Sequence, residues 1–486
     1  MLSVKRAILL STGERYFLLV SNFATAALVS RILTPEEIGV SVIGMAILAV
    51  AMSIREFSSS SFLIQRQELS REDIRSAFTV MFILTGIIAA SLVLASPLLA
   101  GFYDEPNLVP YFRVIAICLL LDASFILITA LQRREMQFGK VAAVNISGAV
   151  AGSVATISLA LAGFSYMSFA WAWLAGSTLS AGLAVAMRPH FWMFRPSFGS
   201  WRGIVWFGGY NGVIAMLYRI FEALPLLLLG RLVSPHAAAL FSRTLMIGQI
   251  PDKLVLGGAM SVVLPAFSTE VRRGCDLKRP YLTAISFVTA FHWPALLLLS
   301  VLAQPAVEIV LGQQWLEAVP LVRIVTIALL FSFSFELNYP VMVAMGAIRD
   351  LFIRSLIVFP VSGLVMAAAI TWGGLQAAAW CLLVTVPFQA FVALAFVARR
   401  LDLRLRDIVA AVWKSGIVAL ASAGAPLAVM VYLGTGFALS PLQAVGAGLL
   451  ALLAWCVSLI LTRHPLFDEI VRSLSMLSKP ALRPAE

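Results

Sequence analysis

This 486-residue chain carries little charge: Asp, Glu, Lys and Arg together make up 12% of it. Soluble globular chains carry about 25%, so an ordinary water-facing surface is excluded. Cysteine is scarce too, and Cys118, Cys275, Cys381 and Cys456 are scattered, which argues against a disulfide framework or a spaced metal site. The four histidines, His190, His236, His292 and His464, are equally far apart. The chain has no His-Glu-x-x-His, no phosphate-binding Walker loop and no Gly-x-Ser-x-Gly. Long polar stretches are missing as well, since gaps between apolar runs stay near or below about 20 residues, too short for a soluble domain. A membrane-embedded glycan polymerase or ligase would need a large outer loop bearing catalytic residues. The chain is therefore expected not to be an enzyme, and no cofactor is expected.

Apolar sequence fills the space instead, with 61% hydrophobic residues and a mean hydropathy of +0.95. An apolar run of about 20 residues crosses the hydrocarbon core of a bilayer. Fourteen such runs are read, near 12–33, 38–64, 76–100, 109–131, 141–163, 166–187, 203–230, 236–266, 282–303, 319–345, 350–373, 374–398, 409–432 and 441–461. The sequence thus predicts an all-α polytopic membrane protein of about 14 transmembrane helices.

Basic residues orient it. Twenty-five of the 35 Lys and Arg fall in alternate gaps, at Lys5 and Arg6, Arg66 to Arg75, Arg133 to Lys140, Arg188 to Arg202, Arg272 to Arg279, Arg349 and Arg354, Arg399 to Arg406, and Arg463 to Arg483. The other gaps clearly contribute only Arg31 and Arg231. Because basic residues in short loops stay cytoplasmic, both termini are expected inside and residues 104, 165, 234, 314, 374 and 436 outside. The first apolar stretch is too long for a signal-peptide core and reads as a retained span. The net charge of +11 is spread over eight short segments without a continuous stripe, so anionic lipid explains it better than nucleic acid, which is not expected as a partner.

A repeat is visible at an offset of two hundred residues. Arg31-Ile32-Leu33-Thr34-Pro35 ends the first run and Arg231-Leu232-Val233-Ser234-Pro235 ends the seventh. Thr34 or Ser234 suits an N-cap and the following Pro the first helical position, and Glu37 completes a capping box with Thr34. Independent convergence on one capping solution is the alternative. Duplication of a six-span unit also explains the equivalent topological positions, and it divides the chain into residues 1–200, 201–400 and a two-span appendage with a tail at 401–486.

Four stretches resemble the polysaccharide transporter branch of the multidrug, oligosaccharidyl-lipid and polysaccharide exporter superfamily. They are Ser30-Arg31-Ile32-Leu33-Thr34-Pro35-Glu36-Glu37-Ile38-Gly39 with Phe62-Leu63-Ile64-Gln65; Phe241-Ser242-Arg243 leading to Ile250-Pro251; Val263-Leu264-Pro265-Ala266-Phe267-Ser268; and Gly312-Gln313-Gln314-Trp315-Leu316-Glu317-Ala318. Leu240 stands where the resemblance leads one to expect Gly. The resemblance implies two pseudo-symmetric six-helix lobes facing a central cavity, two extra C-terminal helices, and flipping of a lipid-linked oligosaccharide across a bacterial inner membrane. A polyprenyl-diphosphate-linked glycan is then the substrate, with membrane lipids, a polysaccharide polymerase and export machinery as partners. A cation-coupled drug or metabolite antiporter of the same superfamily is the alternative function.

An anionic head crossing hydrocarbon calls for fixed cations, and charges deep in a span usually face a cavity. Arg55 lies about 14 Å from the inner end of its run, a long reach for snorkelling. Arg15, beside Glu14, is open to either a snorkelling or a cavity role. Arg219 and Glu222 are three apart on one helical face and can pair. Arg243 reads as a phosphate ligand or an interfacial anchor, and Lys253 follows Asp252 beyond a Pro251 kink. Asp122, Glu222 and Glu336 read as buried acids, either coupled to a proton gradient or paired with Arg. His292 reads as a titrating group or a packing residue. Trp171, Trp173, Trp201, Trp206, Trp315, Trp372 and Trp380 lie near run ends and suit an interfacial belt.

Overall fold

The computed structural model describes residues 4–55, 63, 68–434 and 436–478, with side chains omitted for 4–8, 202–211, 255–262 and 473–478. Of the Phe62 to Gln65 motif, Phe62, Ile64 and Gln65 lie outside the described residues, as do Arg66 and the basic tail from Lys479 onward. Every assigned regular element is helical, as hydrocarbon demands when a segment must satisfy its own backbone. In chain order they are α1 (Val4–Ile32), α2 (Pro35–Ser53), α3 (Arg71–Tyr103), α4 (Leu108–Arg134), α5 (Phe138–Leu161), α6 (Met167–Met187), α7 (Trp201–Leu232) and α8 (Pro235–Gly248). A π-helical turn, Asp252–Leu256, leads into α9 (Gly257–Arg272), α10 (Lys278–Val301) and α11 (Ala303–Val310). The chain closes with α12 (Ala318–Leu329), α13 (Phe333–Ala344), α14 (Ile348–Leu401), α15 (Leu405–Leu433), α16 (Pro441–Leu461) and α17 (Pro465–Ser478).

Among the described residues ten helices are long and apolar enough to cross a membrane, or eleven when α12 and α13, bent by 43° at their junction, count as one broken span. The protein is a multi-pass membrane protein. Two expected spans do not meet that test, for visible reasons. The α1 helix carries Glu14 and Arg15, and the α8 to α9 stretch is interrupted by the π-helical turn. In the opposite sense, α14 runs for 54 residues but has a non-helical residue inside it. Gly374 there takes φ 59° and ψ −140°, a conformation open to glycine and strained for any residue with a Cβ.

The chain divides into two compact units, Met1–Leu240 with Val310–Gln314, and Phe241–Ile309 with Trp315–Glu486. In the first, Phe78, Met81, Leu127, Ile128, Leu131 and Met193 form a buried core. The short 3-10 helix Phe191–Phe194 is drawn into it, and the segment after it is tied to the start of α3. Arg75 donates to the Arg195 and Pro196 carbonyls at 3.1 and 2.8 Å, and Ser200 Oγ donates to Asp73 at 2.6 Å.

Side-chain pairings set helix directions within this unit. Glu14 meets Asn145 and Ser21 meets Ser153, so α1 and α5 run parallel. Cys118 meets Ala170 and Asp122 meets Ser177, so α4 and α6 run parallel too. Helices of equal parity should do so in an up-down chain. Gly148 and Gly176 let α5 and α6 approach through small residues, and a Cβ on Gly148 would lie 1.9 Å from Ser180 Oγ.

The second unit has its core in Tyr281, Ile285, Leu337, Met342 and Val397. Pro294 removes from α10 the N–H that would have bonded to the Ala290 carbonyl four residues earlier. The Trp455 indole of α16 donates to that carbonyl at 2.8 Å instead. Leu466, Phe467 and Ile470 anchor the amphipathic α17 against Ala290, Val418 and Leu459.

Candidate functional site

The repeated pentamers meet within the first unit. Thr34 caps α2 with the expected box: its Oγ accepts from Glu37 N at 3.3 Å, and Glu37 Oε2 accepts from Thr34 N at 2.8 Å. Ser234 Oγ accepts from Ala237 N at 3.1 Å. Glu36 pairs with His236 at 2.7 Å, two positions separated by the repeat offset itself. Gly39 lies so close to the second pentamer that a Cβ there would stand 2.1 Å from the Pro235 carbonyl oxygen. Arg231 pairs with Asp104 at 2.6 Å and lies over Phe102. The Gln314 side-chain amide donates to the Ser30 carbonyl and, at 3.0 Å, to the Leu33 carbonyl, satisfying carbonyls that the end of α1 leaves open. Two of the motifs quoted above thus converge on one helix end.

Deeper in the first unit, Asp122 of α4 is buried. Its two oxygens accept from Ser177 Oγ at 2.5 Å and Trp173 Nε1 at 3.1 Å, four residues apart on one face of α6. Arg55, in the short turn after α2, lies within electrostatic reach of Asp122. Glu14 on α1 accepts from Asn145 at 2.6 Å. Arg15 beside it is exposed. Arg219 and Glu222 form the expected ion pair at 2.8 Å, but each side chain is 48% exposed, so Glu222 is not the buried acid that its place in an apolar run suggested. The three-residue spacing puts the two charges on the same face of the helix.

In the second unit Arg243 is buried, with its guanidinium 5.8 Å from the Trp315 ring centre. Trp315 is fully buried and Trp173 is bonded to Asp122, so neither belongs to an interfacial belt. Trp171, Trp201, Trp372 and Trp380 are exposed, as a belt requires; the Trp206 side chain lies outside the described residues. Lys253 is exposed on the π-helical turn.

Asp252, its neighbour, bonds to Nε2 of the fully buried His292. Ser332, in the break between α12 and α13, lies 3.4 Å from Asp252 Oδ1 and 3.5 Å from His292 Nε2. Glu336 of α13 lies in electrostatic reach of Asp252 and of Arg354, and Arg354 donates to Asn338 Oδ1 at 3.3 Å. Sequence reasoning singled out His292 and Glu336 separately and missed the pairing with Asp252. The signal was present in Pro251, which displaces the chain from α-helical register just where Asp252 sits.

Among the described residues no group of three or more His, Cys, Asp or Glu could hold a metal ion. The four cysteines are free.

A family model described as polysaccharide biosynthesis protein matches residues 28–320. The lipopolysaccharide biosynthesis protein WzxC of Escherichia coli (strain K12) is 22% identical over 304 residues, covering 61% of this chain and 61% of that protein. The succinoglycan biosynthesis transport protein ExoT of Rhizobium meliloti (strain 1021) is 24% identical over 318 residues, covering 63% and 62%. The chain thus spans about three-fifths of the length of these curated relatives. Among solved structures, the lipid II flippase MurJ in an inward closed conformation superposes with a TM-score of 0.75 at 11% identity, over 94% of this chain and 99% of that one. An inward-facing multidrug resistance MATE transporter of the MOP superfamily superposes with a TM-score of 0.64 at 14% identity, over 79% and 94%. At these identities the likeness is one of fold.

Proposed function

The chain belongs to the polysaccharide biosynthesis protein family, and from that membership we propose that it is a flippase for a lipid-linked oligosaccharide or polysaccharide repeat unit. It carries that unit from the cytoplasmic to the outer leaflet of a bacterial inner membrane by alternating access, for exopolysaccharide, capsule or lipopolysaccharide synthesis. The observation that carries the reading is the family match, joined to a fold shared over almost the whole chain with the lipid II flippase MurJ. Transport, rather than bond making, is the activity.

The full architecture belongs to the same proposal. Counting the bent α12–α13 pair as one span, α14 as two across Gly374, and adding α1 and the α8–α9 stretch brings the ten helices to fourteen. Residues 1–200 and 201–400 are then six-span lobes, 401–486 is the appendage, and both termini are cytoplasmic. The contact of Glu36 with His236 supports duplication, because equivalent positions touch only when they lie on or near the axis relating two copies.

A diphosphate head needs cations in a low-dielectric path. Arg55 and Arg243 are the principal ligands, since a guanidinium binds phosphate oxygens through a bidentate fork. Arg15, Arg219 and Lys253 attract the head at the approaches. Asp122 and Glu336 are the candidates for coupling; Glu222, half-exposed beside Arg219, is no longer one of them. Polyprenyl tails stay in the bilayer, and the polymerase and export machinery take the flipped unit.

The test is reconstitution into proteoliposomes with a fluorescent polyprenyl-diphosphate glycan whose outer-leaflet fraction is quenched by an impermeant reagent. The protein should accelerate movement between leaflets, and Arg55→Ala or Arg243→Ala should slow it about tenfold or more, since a charge-assisted hydrogen bond contributes about 1.5–3 kcal/mol. Lys at either position should restore part of the rate. Movement no faster than in protein-free liposomes overturns the function, and normal rates in both Ala variants overturn the ligand assignment.

A further inference from the structure

Three irregularities of the second unit fall together around one buried imidazole. The first is the π-helical turn Asp252–Leu256, a register shift that turns Asp252 toward α10; such turns are rare and concentrate at functional positions. The second is α10 itself, which carries His292 just before Trp293 and Pro294. The third is the break between α12 and α13, where Ser332 faces the Asp252–His292 pair and the Trp293 indole donates to the Leu330 carbonyl at 2.7 Å. Transporters commonly build substrate and coupling-ion sites from broken helices, since interrupted backbone inside a membrane bundle is tolerated only where it is buried in protein or lines a water-filled cavity.

We infer that Asp252, His292 and Ser332 form a proton-binding site that drives the transport step. This rests on the flippase reading given above. His292 is completely buried, and among the described residues its Nδ1 has no hydrogen-bond partner. A packing histidine would have both nitrogens bonded or one exposed to water. With Nε2–H donating to the Asp252 carboxylate, the Nδ1 lone pair is the open position for a further proton. Protonation there turns a neutral imidazole beside a carboxylate into an imidazolium–carboxylate pair, which the low-dielectric interior tolerates better than a lone carboxylate. The Asp252 side chain is 18% exposed, giving the pair a route to water that His292 lacks. One proton is bound and one released in each cycle, and no other species changes. Ser332 makes the α12–α13 break sensitive to the charge on the pair, so loading the site alters the bend of a broken span.

Other charged groups stand on the neighbouring elements. Glu336 of α13 lies in electrostatic reach of both Asp252 and Arg354 of α14, so its carboxylate shares the field of the pair while Arg354 offsets it. Lys253 is exposed beside Asp252. Lys414 of α15 donates to the Arg463 carbonyl, and His464 bonds to Ser286 and Ser415, with Ser286 about two turns from His292 along α10. Arg323 of α12 stacks on Phe437, and Glu270 of α9 pairs with Arg273 near the helix end.

Two measurements test the site separately from the flippase reading. In the purified full-length protein with ¹⁵N-labelled histidine, the signal lost in His292→Gln should titrate. In Asp252→Asn the pH dependence of that signal should change, because its carboxylate partner is gone. A midpoint unmoved in Asp252→Asn, or a His292 that does not titrate between pH 4 and 9, overturns the proposal whatever the protein transports. In proteoliposomes an imposed pH gradient should accelerate glycan flipping. Asp252→Asn and His292→Gln should keep the gradient-free exchange rate but lose the acceleration, and Ser332→Ala should reduce it. Equal acceleration in wild type and both variants, or a wild-type response to a sodium gradient alone, overturns proton coupling at this site. Absence of any flipping in wild type overturns the flippase reading and leaves the titration result standing.

Discussion

Replacing Gly39 by Ala puts the contact between the two pentamers to a test of sign. In an ordinary helix interior Gly→Ala stabilises by about 0.8–1.0 kcal/mol, because Gly gives up more backbone freedom on folding. Gly39 is not in an ordinary position. A Cβ there would stand 2.1 Å from the oxygen and 2.4 Å from the carbon of the Pro235 carbonyl. These are backbone atoms at the start of α8, so no side chain can rotate away, and the two helix ends must part by about an ångström or more to reach normal van der Waals contact. Overpacking of this kind destabilises by about 1–3 kcal/mol, which outweighs the propensity gain. Gly39→Ala should therefore lower the melting temperature of the detergent-purified protein, followed by tryptophan fluorescence together with size-exclusion homogeneity. Gly86→Ala is the matched control: it lies inside α3 with nothing within 4 Å of an added Cβ, and it should leave the melting temperature unchanged or raised. If Gly39→Ala is as stable as Gly86→Ala, the close approach at Pro235 does not exist, and the inferred axis between the repeats loses its main support.

Burial pushes His464 down to about 4, with the Lys414 charge acting in the same direction, against about 6.5 in an unfolded chain. Between those values the unfolded chain binds more protons, so the docking of α17 is at full strength above about pH 6.5 and weakens as pH falls toward 4, by no more than about 3 kcal/mol. Hydrogen exchange of α17 should rise between pH 7 and pH 5, and His464→Gln should flatten that dependence; a wild type with equal protection at both values refutes it. Single cysteines at residues 104, 165, 234, 314, 374 and 436, placed in a background lacking the native cysteines, should react with an impermeant maleimide in intact cells. Reaction at 137, 275 or 403 instead inverts the orientation.

Run length, basic-loop alternation and the capping of α2 were legible in the sequence because each is local. Twenty consecutive apolar residues must cross a bilayer whatever surrounds them, and Thr34 finds Glu37 three residues away. The matching pentamers Arg31 to Pro35 and Arg231 to Pro235 were legible as well, since each is a local string. Only tertiary structure decided what those helices turn toward one another. Their spans are apolar on every side, so no stripe marks a buried face as it does on a helix in water. The rotation that brings Ser177 and Trp173 onto Asp122 depends on small-residue packing between α5 and α6. His292 meets Asp252 forty positions away because Pro251 and a π-helical turn shift the register between them. Glu222 illustrates the reverse case, a carboxylate inside an apolar run that the fold leaves exposed beside Arg219. Sequence sets which segments enter the membrane because that transfer is paid per residue. Which polar groups share an interior site is set by pairwise geometry over long separations, and composition carries no record of it.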